Sequence, residues 1–299
     1  MSRYKTGLAF GFSTYLIWGL FPLYWPLLKP ANPLEIVSNR AVWTLGFCFI
    51  SLALTKQLTS TLALFRNKRV IQGLSVAAIL ISVNWLTYIW AVNKGHVVDA
   101  SLGYYINPLV SIGFGVIILR ERMSRWQWVS VIIATIGVIV LTVDARTFPW
   151  IAITLALSFG SYGFVKKRLG LGSLESLAIE TTLTLIPYAG YLIFLANAGT
   201  GQLGQSSGLT TLLILSGAVT AIPLLLFNGA ATRIPLSLMG LIQYITPTVQ
   251  FCLGVFLRHE EMSIARWAGF FIIWIALIIL ATDLMKSGSA RNNGVAELD

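Results

Sequence analysis

Charged side chains are scarce in this sequence. Asp, Glu, Lys and Arg make up 11% of its 299 residues, whereas hydrophobic residues make up 56% and the mean hydropathy is +0.78. A soluble domain carries about a quarter charged residues. The shortage of charge therefore excludes a large soluble domain and indicates a protein that crosses a membrane several times.

Acidic residues are scarcer than basic residues. The chain has 11 Asp and Glu against 21 Lys and Arg, which gives a net charge of +10. Basic residues in short loops orient membrane spans and lie well beside anionic lipid. A nucleic-acid-binding protein would instead need a basic stripe interleaved with aromatic residues, which is absent. We therefore predict a lipid bilayer as partner and no nucleic acid.

Residues that bind metals or perform covalent chemistry are also few. Cys48 and Cys252 lie in apolar runs, and His96 and His259 lie far apart near the ends of such runs. An intramembrane enzyme would need a convergent nucleophile, base or metal-ligand set, and an ATP-driven pump would need a Gly-rich phosphate loop. The sequence contains neither pattern, so we predict no enzyme activity, no metal site and no cofactor.

Long apolar segments are abundant instead. Ten of them could cross the ~30 Å hydrocarbon core of a bilayer, and they predict an all-α integral membrane protein. The first begins after Arg3 and Lys5 and has no cleavage site, so it is read as an uncleaved span. The polar tail, residues 286–299, is predicted to be disordered and cytoplasmic. The predicted spans are 6–28, 36–55, 70–93, 98–119, 125–143, 148–166, 175–197, 209–231, 235–257 and 264–284.

The loops differ in positive charge from one side of the membrane to the other. With the N-terminus inside, the inside segments hold 15 Lys and Arg and the outside loops hold 5. Basic residues concentrate in cytoplasmic loops. Both termini are therefore predicted to be cytoplasmic.

The chain repeats itself. A shift of 139 residues aligns 84–144 with 223–283 without a gap. Each predicted unit, 1–145 and 146–285, holds five spans, and an odd number makes the second unit enter the membrane from the opposite side. Such inverted repeats are typical of secondary transporters, whose substrate site lies near the midplane. The identical pairs include Tyr105/Tyr244, Pro108/Pro247, Glu121/Glu260 and Trp128/Trp267.

Two repeat-related patches bring polar groups and a proline to the predicted midplane. Pro108 in span 4 and Pro247 in span 9 each remove a helical hydrogen bond, which predicts a kink. Each kink either shapes helix packing alone or also lines a central cavity. Any one of the polar and aromatic residues at this depth could serve packing only, but together they suit an amphipathic organic substrate. The candidate cavity residues are Tyr15, Trp18, Asn84, Trp85, Tyr88, Tyr104, Tyr105, Asn107, Tyr162, Asn228, Gln243 and Tyr244.

The positions of four charged residues, in or beside the predicted spans, need an explanation. Arg40 and Glu180 lie about one turn inside spans 2 and 7, where a charge is costly. Each either pairs or snorkels to hold helices together, or acts in transport: Arg40 as a gate or anion contact, and Glu180 as a proton site or cation contact. Glu121 and Glu260 directly follow their spans and are predicted to cap helix ends.

The strings "EIVSNRAVW" and "NWLTYIWAVNKGHVVDASLGYYINPLVS" make the chain similar to the bacterial RarD group of EamA-type transporters, within the drug/metabolite transporter superfamily. The resemblance extends over about residues 5 to 284. It implies a ten-helix permease of the bacterial inner membrane with a central cavity, often an exporter of small metabolites or drugs. It supplies no catalytic residues.

The leading functional prediction is a secondary transporter, an exporter or exchanger of small organic metabolites or drugs that works by alternating access. An auxiliary subunit of a membrane complex is the alternative, and an intramembrane enzyme is less favoured. A small-molecule substrate is expected, and the protein is expected to be a monomer or a homodimer.

Overall fold

The computed structural model describes residues 3–93, 97–143, 150–257 and 263–296, and within these ranges regular secondary structure is entirely helical. A 3₁₀ segment, Trp25–Leu28, follows α1, and π-helical segments, Phe114–Ile118 and Leu253–Leu257, follow α5 and α11. The α-helices are α1 (Arg3–Tyr24), α2 (Pro33–Leu54), α3 (Leu58–Leu64), α4 (Lys68–Asn93), α5 (Val97–Gly113), α6 (Arg125–Val143), α7 (Trp150–Leu169), α8 (Ser173–Ala198), α9 (Ser207–Ala231), α10 (Leu236–Gln243), α11 (Ile245–Cys252) and α12 (Ile264–Ala296).

The described helices confirm an all-helical chain with several candidate membrane spans. Eight of the described helices are long and apolar enough to cross a membrane, and a shorter apolar helix, Leu102–Ile118, comes in addition. Helix α7, the sixth predicted span, is not one of the eight. Three basic residues in the last turn of α7 and several polar residues before them lower its apolar character. The count of ten spans stays a prediction. The eight helices long and apolar enough to cross a membrane are Arg3–Leu28, Pro33–Leu54, Lys68–Tyr88, Arg125–Val143, Ser173–Asn197, Ser207–Ala231, Leu236–Leu257 and Trp267–Lys286.

Local sequence signals set several helix ends. Pro33 occupies the first turn of α2, and the side chain of Asn32 accepts a hydrogen bond of 2.9 Å from the backbone N–H of Glu35. Asn is among the preferred residues at this position, and proline is tolerated in a first turn because its missing N–H would be unpaired there. Near the start of α2, Gly199 ends α8 with a φ of 66°. Glycine favours this left-handed conformation because it has no Cβ.

The two prolines of the repeated patches lie in different helical surroundings. The helix of span 9 is interrupted at Tyr244, three residues before Pro247, and resumes as α11. Helix α5 continues through Pro108 without interruption. Each of the two helices then ends in a π-helical segment, and the first residues of these segments, Phe114 and Leu253, are 139 residues apart.

The helices pack in a small set of pairs. Helix α5 contacts α7 and α10, α1 contacts α9 and α11, α2 contacts α8 and α9, and α6 lies against α12. The main core holds Tyr15, Tyr162, Phe227 and Leu236, all almost fully buried. It therefore lies where α1, α7, α9 and α10 meet, next to the candidate site.

The last helix differs from its predicted extent. Helix α12 reaches Ala296, whereas the sequence predicts a disordered tail from residue 286. Extending a helix that is already formed adds one hydrogen bond for each residue fixed, which makes such an extension inexpensive. The predicted boundary between the halves, at residues 145 and 146, lies outside the described residues.

Candidate functional site

A cavity of about 490 Å³ opens within the helical bundle. Its walls come from α1, the 3₁₀ segment that follows it, α2, α4, α5, α7, α9, α10 and α11. Pockets of roughly 300–1,000 Å³ with apolar walls and a few polar groups are typical of small-molecule sites. The cavity is therefore large enough to enclose a small organic molecule.

The cavity brings together most of the residues predicted for it. Arg40 and Pro247 also line it. These residues are far apart in sequence and come from both predicted halves, so their assembly depends on the packing of the helices. The eight candidate residues that line the cavity are Tyr15, Trp18, Asn84, Trp85, Tyr88, Tyr104, Asn107 and Gln243.

The other four candidate cavity residues, Tyr105, Tyr162, Asn228 and Tyr244, do not line the cavity. The Tyr244 hydroxyl donates a hydrogen bond of 3.3 Å to the backbone carbonyl of Tyr105. The Tyr162 ring stacks on Phe227, with centroids 5.9 Å apart. Asn228 is a buried residue of α9, 2% exposed. The structure therefore places these four side chains outside the cavity wall.

Aromatic rings form much of the cavity wall. The centroids of Tyr15 and Trp18 lie 5.6 Å apart, and those of Tyr88 and Tyr104 lie 6.0 Å apart, both pairs edge to face. Trp18 also meets Phe159 at 5.4 Å. Edge-to-face pairs stabilise one another and leave ring faces for other contacts. Several lining residues were not predicted: Phe21, Pro22, Trp25, Phe159, Thr220, Thr246 and Gln250.

Arg40 is the one charged side chain among the lining residues, all of which belong to the described part of the chain. Its Nε donates a hydrogen bond of 3.0 Å to the Thr220 hydroxyl. The guanidinium lies 4.6 Å from the ring centroid of Trp25 and 4.9 Å from that of Trp85. Cation–π contacts of this kind hold a guanidinium in a fixed plane. The side chain thus presents a positioned positive charge to the cavity.

Four amide side chains line the cavity. Gln250 Nε2 donates a hydrogen bond of 3.5 Å to the Trp18 carbonyl. Asn84 donates to the Leu155 carbonyl at 2.9 Å and to the Ser158 hydroxyl at 3.0 Å. Asn107 Oδ1 and Gln243 Oε1 are buried, and neither has a hydrogen-bond partner among the residues that the structure describes. Buried polar atoms are normally hydrogen-bonded. These two amides can therefore offer hydrogen bonds to a bound molecule.

Comparison with known proteins identifies the family. The profile of the EamA-like transporter family matches residues 5–143. Protein RarD of Streptomyces exfoliatus is 47% identical over 95% of this chain and 90% of its own length. Protein RarD of Escherichia coli (strain K12) is 40% identical over 93% of this chain and 95% of its own. The chain belongs to the EamA-like transporter family.

Further relatives agree with this assignment. A Bacillus subtilis (strain 168) relative named as a transporter, YojE, is 41% identical to this EamA-family chain over 94% of it and 95% of the relative. A solved crystal structure of a protein 16% identical superposes with a TM-score of 0.72 over 93% of this chain and 98% of that one. The first comparison supports a membrane transporter and the second supports the fold. With several apolar helices and bacterial relatives, this is a multi-pass protein of the bacterial inner membrane.

Glu180 lies outside the cavity of this EamA-family chain. Its Oε2 accepts a hydrogen bond of 2.6 Å from Lys166 Nζ, which also donates to the Ser176 hydroxyl at 2.6 Å. The sixth predicted span ends at Lys166, but α7 extends to Leu169, and the Lys166 side chain is buried. The charge at Glu180 is therefore compensated inside the bundle.

Glu121 caps a helix, as predicted. Its carboxylate accepts hydrogen bonds from the backbone N–H groups of Leu236 and Ser237, both at 2.9 Å, and from the Ser237 hydroxyl at 2.8 Å. Lys167 Nζ lies 3.3 Å from Glu121 Oε1, the oxygen that also accepts from the Leu236 N–H. A negative charge at a helix N-terminus is stabilised by the unpaired N–H groups there. The end of span 4 is thus tied to the start of α10, and Glu260 lies outside the described residues.

Proposed function

We propose that this chain is a secondary transporter that moves small organic metabolites or drugs through its central cavity by alternating access. One observation carries the proposal: eight of the twelve candidate residues, together with Arg40, line one cavity. Aromatic faces and neutral amides suit an amphipathic organic substrate. Export or exchange is the proposed direction, as the family resemblance implies.

The repeat supports alternating access. The two π-helical segments start 139 residues apart, and the bonded residues Tyr105 and Tyr244 are separated by the same 139. Helices α2 and α8 correspond to each other in the predicted repeat, as do α6 and α12, and the two members of each pair are in contact. A pseudo-twofold axis between inverted halves would produce such pairings. In transporters built this way, two related halves rock around a central site.

The two ends of the cavity differ in a way that fits an outward-facing state. Trp25, Pro26 and Leu253 line the cavity, and they lie where spans 1 and 9 are predicted to reach the outside. At the opposite end, the Glu121 cap and Lys167 join span 4, α7 and α10. We propose that these contacts close the cytoplasmic end, and that substrate release inward requires their separation.

Cysteine accessibility combined with flux tests the proposal. With Cys48 and Cys252 replaced by Ser, single cysteines at Trp18, Tyr88 or Tyr104 should react with a water-soluble thiol reagent and lose reactivity when substrate is added. Ile186, which is 83% exposed on α8, serves as the control because a lipid-facing cysteine should stay unreactive. Cavity cysteines that never react, in any condition, would refute the central pathway.

Reconstitution separates a transporter from an auxiliary subunit. Proteoliposomes containing only the purified chain should accumulate or release a solute from a screen of metabolites and amphipathic drugs, run with and without a pH gradient. Empty liposomes and protein blocked at a cavity cysteine provide the baseline. Flux that appears only when a second protein is added would favour the auxiliary role.

A further inference from the structure

We propose that the cavity selects organic anions, namely a carboxylate attached to an aromatic body that carries a hydrogen-bond donor at its other end. The proposal rests on the proposed function, since it names the substrate class of the same cavity. Arg40 would hold the carboxylate, the aromatic wall would enclose the ring, and Asn107 and Gln243 would receive the donor.

The charge of the cavity is the first argument. Arg40 lines it, and no acidic side chain stands among the lining residues, all of them described. Among the described residues, Arg40 forms a single hydrogen bond, from Nε to the Thr220 hydroxyl. Both terminal nitrogens of the guanidinium therefore remain for a ligand. A cation inside a protein is stable when it is paired or hydrogen-bonded. An anionic ligand supplies the missing partner.

The orientation of the guanidinium is the second argument. Its Cζ lies 4.6 Å from the ring centroid of Trp25 and 4.9 Å from that of Trp85, so two aromatic rings hold the guanidinium in place at the cavity wall. Its two terminal nitrogens keep their N–H groups for a ligand. The edge of a guanidinium matches the two oxygens of a carboxylate in a bidentate pair. The site therefore favours a planar oxyanion over a third aromatic ring at this position.

The far end of the ligand follows from the two amides. Asn107 is 4% exposed and Gln243 is 5% exposed. Both line the cavity, and both present a buried carbonyl oxygen that no described residue bonds. An acceptor of this kind gains most from a ligand N–H or O–H, since leaving it unpaired is costly. The ligand should therefore carry a donor away from its carboxylate.

Net charge distinguishes this class from zwitterions and cations. An ammonium group would meet no carboxylate on the described cavity wall. Two of the aromatic faces that could receive it by cation–π contact, those of Trp25 and Trp85, are already used by Arg40. A ligand with one negative charge and no positive charge thus fits better than an amino acid or an amine.

Binding of three matched probes to the full-length purified protein tests the proposal. The probes share an indole ring and its N–H donor: indole-3-acetate is an anion, indole-3-acetamide is neutral and tryptamine is a cation. Indole-3-acetate should bind about tenfold or more tightly than the amide, because a hydrogen-bonded charge pair is worth about that factor. Tryptamine should bind most weakly.

Variants assign the preference to its residue. Arg40→Gln should remove the preference for the anion while binding of the amide changes by less than about twofold. Arg40→Lys keeps the charge without the planar fork, so it should retain part of the preference and provides a second reading should the Gln variant fail to fold. Arg122→Gln, at an exposed position just after the π-helical segment of span 4, removes an equal charge and should leave all three affinities unchanged.

Three results would overturn the anion site: equal affinity for the acetate and the amide, a preference that survives Arg40→Gln, or no binding of any probe. None of these results would contradict the proposed function, because cavity accessibility and solute flux are measured without these probes. Conversely, an unreactive cavity and absent flux would refute the transport pathway even if indole-3-acetate bound.

Discussion

Lys166 and Glu180 form an ion pair inside the helical bundle. Nζ and Oε2 are 2.6 Å apart, and the two side chains are 2% and 4% exposed. The pair joins the last turn of α7 to the second turn of α8, and the Ser176 hydroxyl completes the hydrogen bonding of the ammonium group. Because both charges are withdrawn from water, each depends on the other.

Removing one partner of this pair should destabilise the protein far more than removing both. Glu180→Leu or Lys166→Met alone should lower the free energy of unfolding by about 3–5 kcal/mol, because each leaves a buried charge uncompensated. The double variant should regain much of that loss. Unfolding of the purified protein in detergent, followed through the double-mutant cycle, measures the coupling, and Lys68→Met at an exposed position is the control. Additive losses would show that the pair has no mutual dependence.

Glu180 is also our proposed coupling group for protons. The Glu180 carboxylate is the partner of the Lys166 ammonium group, so a proton that binds there would remove the ionic contact between α7 and α8. Tyr162 and Cys48 also face this pair. We expect Glu180→Gln to abolish the response of solute flux to a pH gradient, measured in proteoliposomes at matched protein content. Glu35→Gln, which alters another buried acid on α2, should preserve the response. An unchanged response in Glu180→Gln would exclude Glu180 as the proton site.

The Glu121 cap should control access to the end of the bundle that is predicted to face the cytoplasm. Glu121→Ala removes three hydrogen bonds to Leu236 and Ser237. A carboxylate at a helix N-terminus contributes about 0.5–2 kcal/mol in a partly buried setting, so the open fraction should rise about 2- to 30-fold. Thiol labelling of a cysteine placed at the buried position Ile234 reports the change.

The matched control for this cap is Glu175→Ala, which removes an acid from the first turn of α8 and should leave labelling at residue 234 unaltered. Equal labelling rates in the Glu121→Ala and parent proteins would mean that the cap does not contribute to closure.

The candidate site shows which part of a membrane protein can be predicted from sequence. Hydropathy predicts which segments cross the membrane and which residues lie near the middle of a span. It does not predict how a helix is rotated about its axis: Tyr104 lines the cavity, whereas the ring of Tyr105 lies against Phe270. Neighbouring residues on a helix point about 100° apart. Without a known packing direction, the sequence could not tell which of two adjacent tyrosines faces inward.

The ion pair shows a second limit. Lys166 and Glu180 lie 14 residues apart on different helices, and Lys166 is the last residue of the sixth predicted span, directly before two further basic residues. Their contact depends on α7 continuing to Leu169 and on the turn before Ser173 being short. Helix ends are the least certain feature of a hydropathy pattern, so a partner located at such an end escapes detection.

Close packing between the two proline-containing patches should be sensitive to a single methyl group. A Cβ at Gly240 would lie 2.6 Å from the carbonyl oxygen of Pro108 and 2.8 Å from the Ile112 side chain. Because the first contact is with backbone, α5 and α10 would have to move apart. Gly240→Ala should therefore lower stability by about 1–3 kcal/mol, as overpacking does, and should slow flux. Gly113→Ala is the control, since a Cβ there meets no atom within 4 Å and alanine favours the helix. If thermal unfolding in detergent gave equal midpoints for the two variants, the close approach of α5 and α10 would be contradicted.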